Sequence, residues 1–469
     1  MEYRKPLPAV FCLAVVALFS TGIALLSGCG DRGSLDDAHL TIHLTCDTSG
    51  RLEPCGCFTG QHGGLTRLRT WLGEREHPGH VLKVDAGGAL AGQADYDLIQ
   101  YRFIARAYQN MGFAALNMGG SEAAISAAKL RALAESSAVP LISASIVDAD
   151  TREPILKPSR IVEIGDRRAG ILGVVSPNSV PAPGDGLAIL SLNEAIDRHL
   201  PALAGECDLI ILLAFTDDLE MRRLARDYYE FAVILGGDVA SPTQDIIREN
   251  DSIILFTTNE ARTVATLDAR LTGTTRTRLV DPEYDIQLLW ESIPQHPEML
   301  ALVEDYRQEI RDTELAIDAT HIIDPNAIPG VATTRATFVG SASCQACHPK
   351  AHEVWSESGH ARAFDTLVRY GSDADPQCIG CHTIGFGRPG GYRRPMGSKS
   401  LVDVGCESCH GPGSEHIARY LHGQPNNFRF RPLGPGDCTT CHYGEFSRPF
   451  DWEKFWPGIA HGKESEMAD

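Results

Sequence analysis

Val404–His416 reads VGCESCHGPGSEH, and its first half contains the pentapeptide Cys406-Glu-Ser-Cys409-His410. Two cysteines three positions apart, followed at once by a histidine, form the C-x-x-C-H pattern of c-type haem attachment. The two thiols can form thioethers with the vinyl groups of one porphyrin, and the adjacent histidine can bind its iron from the same side. This stretch therefore predicts a haem-binding region near the carboxyl end of the chain.

The same pattern occurs four times between residues 344 and 442, although the 14 Cys and 17 His of this 469-residue chain would supply only about 0.015 copies by chance. We therefore expect four covalently bound c-type haems. Zinc sites and dithiol redox centres also use C-x-x-C pairs, but neither requires a histidine after every second cysteine. The predicted attachment residues are Cys344, Cys347, Cys378, Cys381, Cys406, Cys409, Cys438 and Cys441. The predicted proximal iron ligands are His348, His382, His410 and His442.

Histidine is also the expected second axial ligand. After residue 340 the chain has two methionines, Met396 and Met467, but five histidines outside the motifs. Bis-histidine ligation is therefore favoured, and it gives lower potentials than His/Met ligation. The five candidates are His352, His360, His416, His422 and His461. Because roughly 130 residues would enclose four haems and contain few long apolar runs, we expect the haems to form the core of this region.

The region from about Phe338 to Lys463 resembles the cytochrome c-554 type of tetrahaem domain. The matching features are Cys344–His348 followed by Trp355 and Ser358–Ala361, the stretch Val404–His416, and the closing Ala460–Lys463. The resemblance implies three distal iron ligands, which here are His360, His416 and His461. It also implies that the haem of the second motif, with His382 as its proximal ligand, is five-coordinate. His352 and His422 remain candidates to complete that haem.

The residues before this region alternate short apolar strands with amphipathic helices, which predicts α/β layers with a mainly parallel sheet. The strand candidates are Leu40–Cys46, Val81–Asp85, Ala114–Asn117, Leu141–Ile146, Ile171–Val175, Leu209–Phe215, Ala232–Leu235 and Ile253–Thr257. A β-hairpin is expected around Gly165-Asp166, and a further helix begins at Pro297. The predicted fold is thus an α/β domain followed by a mostly α-helical and irregular multihaem domain. The predicted divisions are 1–28 (signal peptide), 38–280 (α/β domain), 281–320 (helical connector), 321–337 (linker) and 338–469 (tetrahaem domain).

The α/β part, from about His43 to Leu271, resembles the 5′-nucleotidase branch of calcineurin-type metallophosphoesterases. The resembling stretches are Asp47–Gly50, Gly63–Leu65, Val84–Gly88 and Asn117–Glu122. That family binds two divalent metals, bridged by a carboxylate, to activate water and clamp phosphate. Most of the matching ligand positions are substituted here, with Ser49, Gly88, Gly120 and Ser121, Leu213–Phe215, and Gly237–Val239 in their places. Only Asp47 remains as a ligand, so we expect a scaffold or binding module rather than a hydrolase.

Four further cysteines lie in or near this domain: Cys46, Cys55, Cys57 and Cys207. In an exported domain, four thiols allow three disulfide pairings. Cysteines one residue apart seldom bridge each other, so a bond from Cys55 or Cys57 to Cys46 is favoured over one between them. A thiol or metal site beside the degraded pocket is the alternative interpretation.

The amino terminus has Arg4 and Lys5, then an apolar run to about Leu26, then Leu26-Ser-Gly-Cys29. This order is typical of a secretory signal. Its ending is similar to the lipobox of bacterial lipoproteins, which implies that Cys29 is lipidated and begins the mature chain. A transmembrane helix is the alternative, since about 18–20 apolar residues can cross a bilayer. We expect an extracytoplasmic protein that is lipid-anchored to a bacterial membrane.

The charge of the chain excludes some functions. Its formal net charge is −19, which argues against nucleic-acid binding through a general basic surface. From residue 340 onward there are 13 Lys and Arg against 15 Asp and Glu, so the acidic excess lies in the earlier part. The favoured function is electron transfer with donor and acceptor proteins of a respiratory chain. The alternatives are reduction or oxidation of a small nitrogen or sulfur species at a five-coordinate haem, and phosphoester hydrolysis.

Overall fold

The structure is a computed structural model that describes residues 38–54, 61–75, 79–258, 260–273, 276–313, 336–388, 390–393, 399–423, 433–443 and 450–462. The predicted signal peptide, Cys29, Cys55, Cys57 and most of the predicted linker lie outside the described residues. In the part that is described, no helix combines the length and the apolar character needed to cross a membrane.

Fourteen strands are present among the described residues. They are β1 (Ala38–Thr45), β2 (His80–Asp85), β3 (Ala115–Asn117), β4 (Leu141–Ile142), β5 (Ile146–Asp148), β6 (Ser159–Ile164), β7 (Arg167–Val175), β8 (Leu187–Ile189), β9 (Leu209–Phe215), β10 (Val233–Gly237), β11 (Ile247–Glu249), β12 (Ser252–Phe256), β13 (Thr263–Thr272) and β14 (Arg278–Leu288). The sheet therefore continues past residue 280.

The helices in the same ranges divide into seven before residue 313 and seven after residue 348. The first set is α1 (Leu65–Gly73), α2 (Asp95–Asn110), α3 (Gly120–Ala123), α4 (Ala127–Ser136), α5 (Leu192–Glu206), α6 (Asp218–Asp227) and α7 (Pro297–Asp312). The second set is α8 (Pro349–Glu357), α9 (Ala363–Tyr370), α10 (Pro376–His382), α11 (Cys406–His410), α12 (Ser414–Leu421), α13 (Pro435–Cys438) and α14 (Trp452–Phe455).

Two six-stranded sheets form the front part of the chain. Their orders are β14-β13-β1-β2-β3-β4 and β11-β12-β10-β9-β7-β6. The pairs from β1 to β4 are parallel, as are those joining β7, β9, β10 and β12. Antiparallel strands complete the edges. The α/β class is confirmed, and the predicted parallel sheet proves to be two mixed sheets.

The side chains of β9 show how the layers are packed. Successive strand residues point to opposite faces of a sheet. Leu209, Ile211 and Leu213 accordingly join a core cluster shared with residues of the first sheet. Ile210 and Leu212 face the other way, into a cluster that includes residues of α5 and α6. The strand is therefore buried on both faces, which explains its continuous apolar sequence.

Helix α7 packs on the front part through one face, on which apolar residues recur at four-three-four spacing. Met299, Val303, Tyr306 and Ile310 are all buried in the larger front core. The residues from Phe338 onward have a much smaller core of their own, formed by Phe338, Leu367, Ile379, Ile384, Phe386, Tyr392 and Leu401. The apolar stabilisation of the carboxyl-terminal region is correspondingly weak.

Candidate functional site

The four C-x-x-C-H motifs lie on short helices and turns. The first begins at the last residue of the turn Ser341–Cys344, and its histidine precedes Pro349 at the start of α8. The second and third motifs end α10 and form α11. The fourth begins at the last residue of α13. A helical turn suits this chemistry because side chains at i and i+3 lie on one face, so both thiols of a motif point the same way.

Three of the proximal histidines each face one of the predicted distal histidines. The ring centroids of His348 and His416 are 6.2 Å apart, and those of His410 and His461 are 5.8 Å apart. In the third pair, His360 faces His442 at 5.9 Å. Two iron–imidazole bonds of about 2 Å each would leave the ring centroids roughly 6 Å apart. The donor types and their spacing therefore fit a haem iron between each pair.

The remaining predicted iron ligands have other contacts. The Nδ1 atom of His382 is 2.6 Å from the carbonyl oxygen of Ala363, which fixes the ring and leaves Nε2 as its metal-binding nitrogen. His352 packs against Trp355, with ring centroids 5.1 Å apart. His422 follows α12 in an exposed position.

Burial keeps several of these imidazoles in the neutral form that binds metal. Burial, reinforced by the nearby imidazoles of His461 and His348, lowers the pKa of His410 to about 4. Burial also lowers the pKa of His360 and of His442, with neighbouring imidazoles adding to the effect. Iron binding at these positions therefore faces little competition from protons.

The thiols of different motifs are neighbours. A hydrogen bond with Cys344 lowers the pKa of Cys406 to about 7, which places the first motif beside the third. A hydrogen bond with Cys381 likewise lowers the pKa of Cys441 to about 7, which places the second motif beside the fourth. The motifs therefore meet in two pairs, and haems bound to them would be close neighbours.

The stretches that resemble the phosphoesterase metal site, in which most ligand positions are substituted, include the carboxyl ends of β1 and β2. We call this part of the first sheet the phosphoesterase-like edge. The backbone at Asp47 and Ser49 has φ angles of 55° and 46°, in the left-handed region. Thr258 donates a hydrogen bond of 3.0 Å to Asp47, and Ser49 donates one of 3.4 Å. Burial raises the pKa of Asp47 despite these donors. A Cβ atom on Gly88, whose φ is 76°, would lie only 3.2 Å from Oδ1 of Asp47.

Two further buried carboxyl groups lie near this edge, and the sequence analysis did not single them out as functional. Hydrogen-bond donors from the protein itself engage both of them. Asp85 accepts hydrogen bonds from Thr45, Tyr108 and the Gly87 amide, at 2.7 to 2.9 Å. Glu122 accepts from the amides of Leu90 and Gly119. Within the described residues, no group of three or more His, Cys, Asp or Glu side chains is placed to hold a metal ion.

Two of the four front cysteines are described, and both are free thiols. The buried Cys46 donates a hydrogen bond of 3.2 Å from Sγ to the Gly87 carbonyl. Burial raises its pKa well above the usual value, which makes the thiol unreactive. Cys207 is half-buried, and burial raises its pKa as well. The predicted bond from Cys55 or Cys57 to Cys46 is not formed, because Cys46 is a free thiol in this structure.

The second haem motif meets the front part of the chain, a contact that the sequence did not predict. Nε2 of Gln377 donates a hydrogen bond of 3.3 Å to Oε1 of Gln100 on α2. The Tyr306 hydroxyl is 3.5 Å from Asp375, and Arg311 donates to the Gly371 carbonyl at 2.9 Å. Ala374 is buried in the front core. Helix α10 is therefore seated on α2 and α7.

The carboxyl-terminal region has recognisable relatives. Residues 343–411 match the family described as cytochrome c554 and c-prime. Cytochrome c-554 of Nitrosomonas europaea is 37% identical over 93 residues, which cover 17% of this chain and 40% of that protein. This chain therefore contains a c-type multihaem cytochrome region.

The front region is similar to nucleotidases. A snake venom 5′-nucleotidase of Gloydius brevicauda is 25% identical over 244 residues, which cover 50% of this chain and 41% of that protein. The 5′-nucleotidase precursor from Thermus thermophilus has a TM-score of 0.50 at 22% identity, over 58% of this chain and 59% of that one. The structural likeness shows the fold alone. The chain spans about two fifths of the curated relatives it matches.

Together the folds and sites define a c-type haem-binding region joined to a metallophosphoesterase-like α/β region. Within that class, the haem-binding region is similar to cytochrome c-554, the resemblance that its motifs indicated.

Proposed function

We propose that this chain is an extracytoplasmic, lipid-anchored tetrahaem cytochrome that transfers electrons. The observation that carries the proposal is the pairing of three proximal histidines with three histidines from outside the motifs at 5.8 to 6.2 Å. When bound, the haems supply reversible one-electron chemistry. The protein supplies the thiols that attach them and the imidazoles that hold the iron in a fixed geometry.

The ligand assignments follow from these pairs. His416 is the distal ligand of the first haem, His461 of the third and His360 of the fourth. Each distal histidine lies outside the motif that attaches its haem, so binding iron joins separate segments of the chain. The haems thereby contribute the core that the short helices lack.

The front region acts as a scaffold or binding module in this proposal. Of the matching metal positions only Asp47 keeps a ligand, and hydroxyl donors already engage it. One carboxylate cannot hold the two bridged metals that phosphoester hydrolysis uses. The partners are redox donor and acceptor proteins of a respiratory chain, met at the membrane to which Cys29 tethers the protein.

Covalent haem content tests the proposal directly. The full chain is produced with a c-type haem maturation system, and its intact mass and reduced absorption spectrum are measured. We expect the added mass of four haems and a c-type α-band. Replacing both cysteines of one motif by Ala, as in Cys438→Ala with Cys441→Ala, should remove one haem. A chain that carries no haem under these conditions contradicts the proposal.

A second function is favoured at the second motif. The three predicted distal histidines all face other proximal ligands, and His382 is anchored by Ala363. An open position on this haem would bind a small nitrogen or sulfur species and reduce or oxidise it. A ferric high-spin signal that changes on adding such a ligand supports this function. An entirely low-spin spectrum excludes it.

A further inference from the structure

Glu407 lies between the two cysteines of the third motif, yet haem attachment does not require a carboxylate there. The residue is only 2% exposed. Its carboxylate accepts hydrogen bonds from the backbone amides of Val339 at 3.0 Å, Gly340 at 2.7 Å and Gly413 at 2.7 Å. Hydrogen bonds to a carboxylate are stronger than neutral ones, so three such donors can hold a buried anion in place.

The donors come from two separate segments. Val339 and Gly340 lead directly into the turn Ser341–Cys344 of the first motif. Gly413 precedes α12, the helix that carries His416. A further pair of hydrogen bonds joins the same segments, since the Thr337 amide donates to Ser414 Oγ at 2.8 Å and the Ser414 amide donates to the Thr337 carbonyl. Glu407 thus links the segment before His348 to the one before His416.

The charge of Glu407 also reaches the thiols of both motifs. The hydrogen bond between the two thiols is the largest influence on their pKa values, raising that of Cys344 and lowering that of Cys406, and repulsion from the Glu407 carboxylate acts as a smaller effect to raise both. A haem attached through either thiol would lie in the same field. Reducing a haem adds an electron, which a nearby anion disfavours.

We propose that Glu407 is a positioning residue that fixes the spacing of His348 and His416 around the first haem and, through its charge, lowers the reduction potentials of the first and third haems. This inference rests on the proposed tetrahaem function. It goes beyond that function because it assigns ligand spacing and potential to a residue that touches neither iron.

Two substitutions separate the two effects. Glu407→Gln keeps the size of the side chain and an acceptor oxygen but removes the charge. Glu407→Ala removes every acceptor and leaves the three amides without their partner. The control is Glu357→Gln, which removes an exposed carboxylate on α8 in the same region. Each full-length, haem-loaded protein is examined for haem content, for high-spin haem by electron paramagnetic resonance, and for midpoint potentials by spectroelectrochemical titration.

With four haems attached, we expect Glu407→Gln to raise at least one midpoint potential above that of the wild type, while Glu357→Gln leaves the titration unchanged. Glu407→Ala should add one high-spin haem per chain, because His416 no longer holds its position. The inference would be overturned if the midpoint potentials of Glu407→Gln equalled those of the wild type. It would also be overturned if Glu407→Ala had the same number of high-spin haems as the wild type. If the Glu407→Ala protein does not acquire its haems, the midpoint potentials of Glu407→Gln decide alone. Absence of haem from the wild type would contradict the proposed function instead.

Discussion

Asp85 is a buried carboxyl group at the end of β2. Burial raises its pKa to about 7, even though Thr45, Tyr108 and the Gly87 amide donate hydrogen bonds to it. Because the folded pKa lies above the unfolded one, the folded state binds the proton more tightly. This contribution to stability is fully present below about pH 4 and is lost as the pH rises through 7.

Asp85→Asn should therefore reduce the pH dependence of stability. Between pH 5 and pH 8, we expect the wild type to lose free energy of unfolding on the order of 1 to 4 kcal/mol through this group, and the variant to lose less. Urea unfolding at both pH values measures the difference. Asp150→Asn, at an exposed turn, is the matched control. An unchanged pH slope in Asp85→Asn would show that the carboxyl is ionised throughout this range.

The distal ligands allow a second test at the level of single residues. His461→Ala removes the imidazole that faces His410, so the third haem should lose its sixth ligand. We expect one additional high-spin haem per chain by electron paramagnetic resonance. His352→Ala, which removes a ring that packs on Trp355, should leave the spin states unchanged. If His352→Ala added the high-spin haem and His461→Ala did not, His352 rather than His461 would be the distal ligand.

Helix α7 is the element that joins the two regions. On one side its apolar residues enter the front core, and on the other Tyr306 and Arg311 meet the segment before α10. Arg307 forms a 2.7 Å ion pair with Glu53, and both side chains are largely shielded from solvent. Burial raises the pKa of Glu53, and the charge of Arg307 opposes that rise.

Arg307→Met should destabilise this junction. The substitution leaves the partly buried Glu53 without its cation, and we expect a loss of about 1–3 kcal/mol in free energy of unfolding. Arg131→Met breaks an exposed pair with Asp148 and should cost less free energy of unfolding than Arg307→Met. Denaturant unfolding compares the two variants. Equal losses in free energy of unfolding would mean that the Arg307–Glu53 pair is no better shielded from solvent than the Arg131–Asp148 pair.

At the level of elements, the sequence predicts those helices and strands whose apolar residues form a clear pattern. The apolar run of β9 and the four-three-four spacing of α7 both give the correct element. The antiparallel strand β14 was missed because Arg278–Leu288 mixes charged and apolar residues along a partly exposed edge. The motifs identify the iron-binding residues by type. Which distal histidine faces which proximal one depends on contacts between distant segments, which spacing along the chain does not encode.

Glu407 shows the same limit inside a motif. The two positions between the cysteines of C-x-x-C-H have no required chemistry, so a glutamate there gives no signal on its own. Its role becomes visible only when the amides of Val339, Gly340 and Gly413 are seen to converge on it.

In the whole molecule, two regions with very different cores are joined. The front region has extensive buried clusters, whereas the separate core from Phe338 onward contains seven buried apolar residues among those described. Without haem, we expect the carboxyl-terminal region to be digested by protease while a fragment covering about residues 38–313 persists. Limited proteolysis of chains made with and without the maturation system tests this. Equal resistance of both forms would show that haem is not needed for folding.

The intact protein also allows a test of the front region. With added manganese or zinc, we expect no hydrolysis of 5′-nucleotides above the rate in buffer. A Gly88→Asp substitution should not restore activity, because its Cβ atom would crowd Asp47 and the other metal ligands are absent among the described residues. Phosphate release measured across several nucleotides checks both statements. Metal-dependent turnover by the wild type would identify the front region as a hydrolase.

The seating of α10 on α2 and α7 makes the front region part of the surroundings of the second haem motif. A cytochrome segment transplanted into another gene without these two helices would expose Ala374 and leave Gln377 and Asp375 facing water.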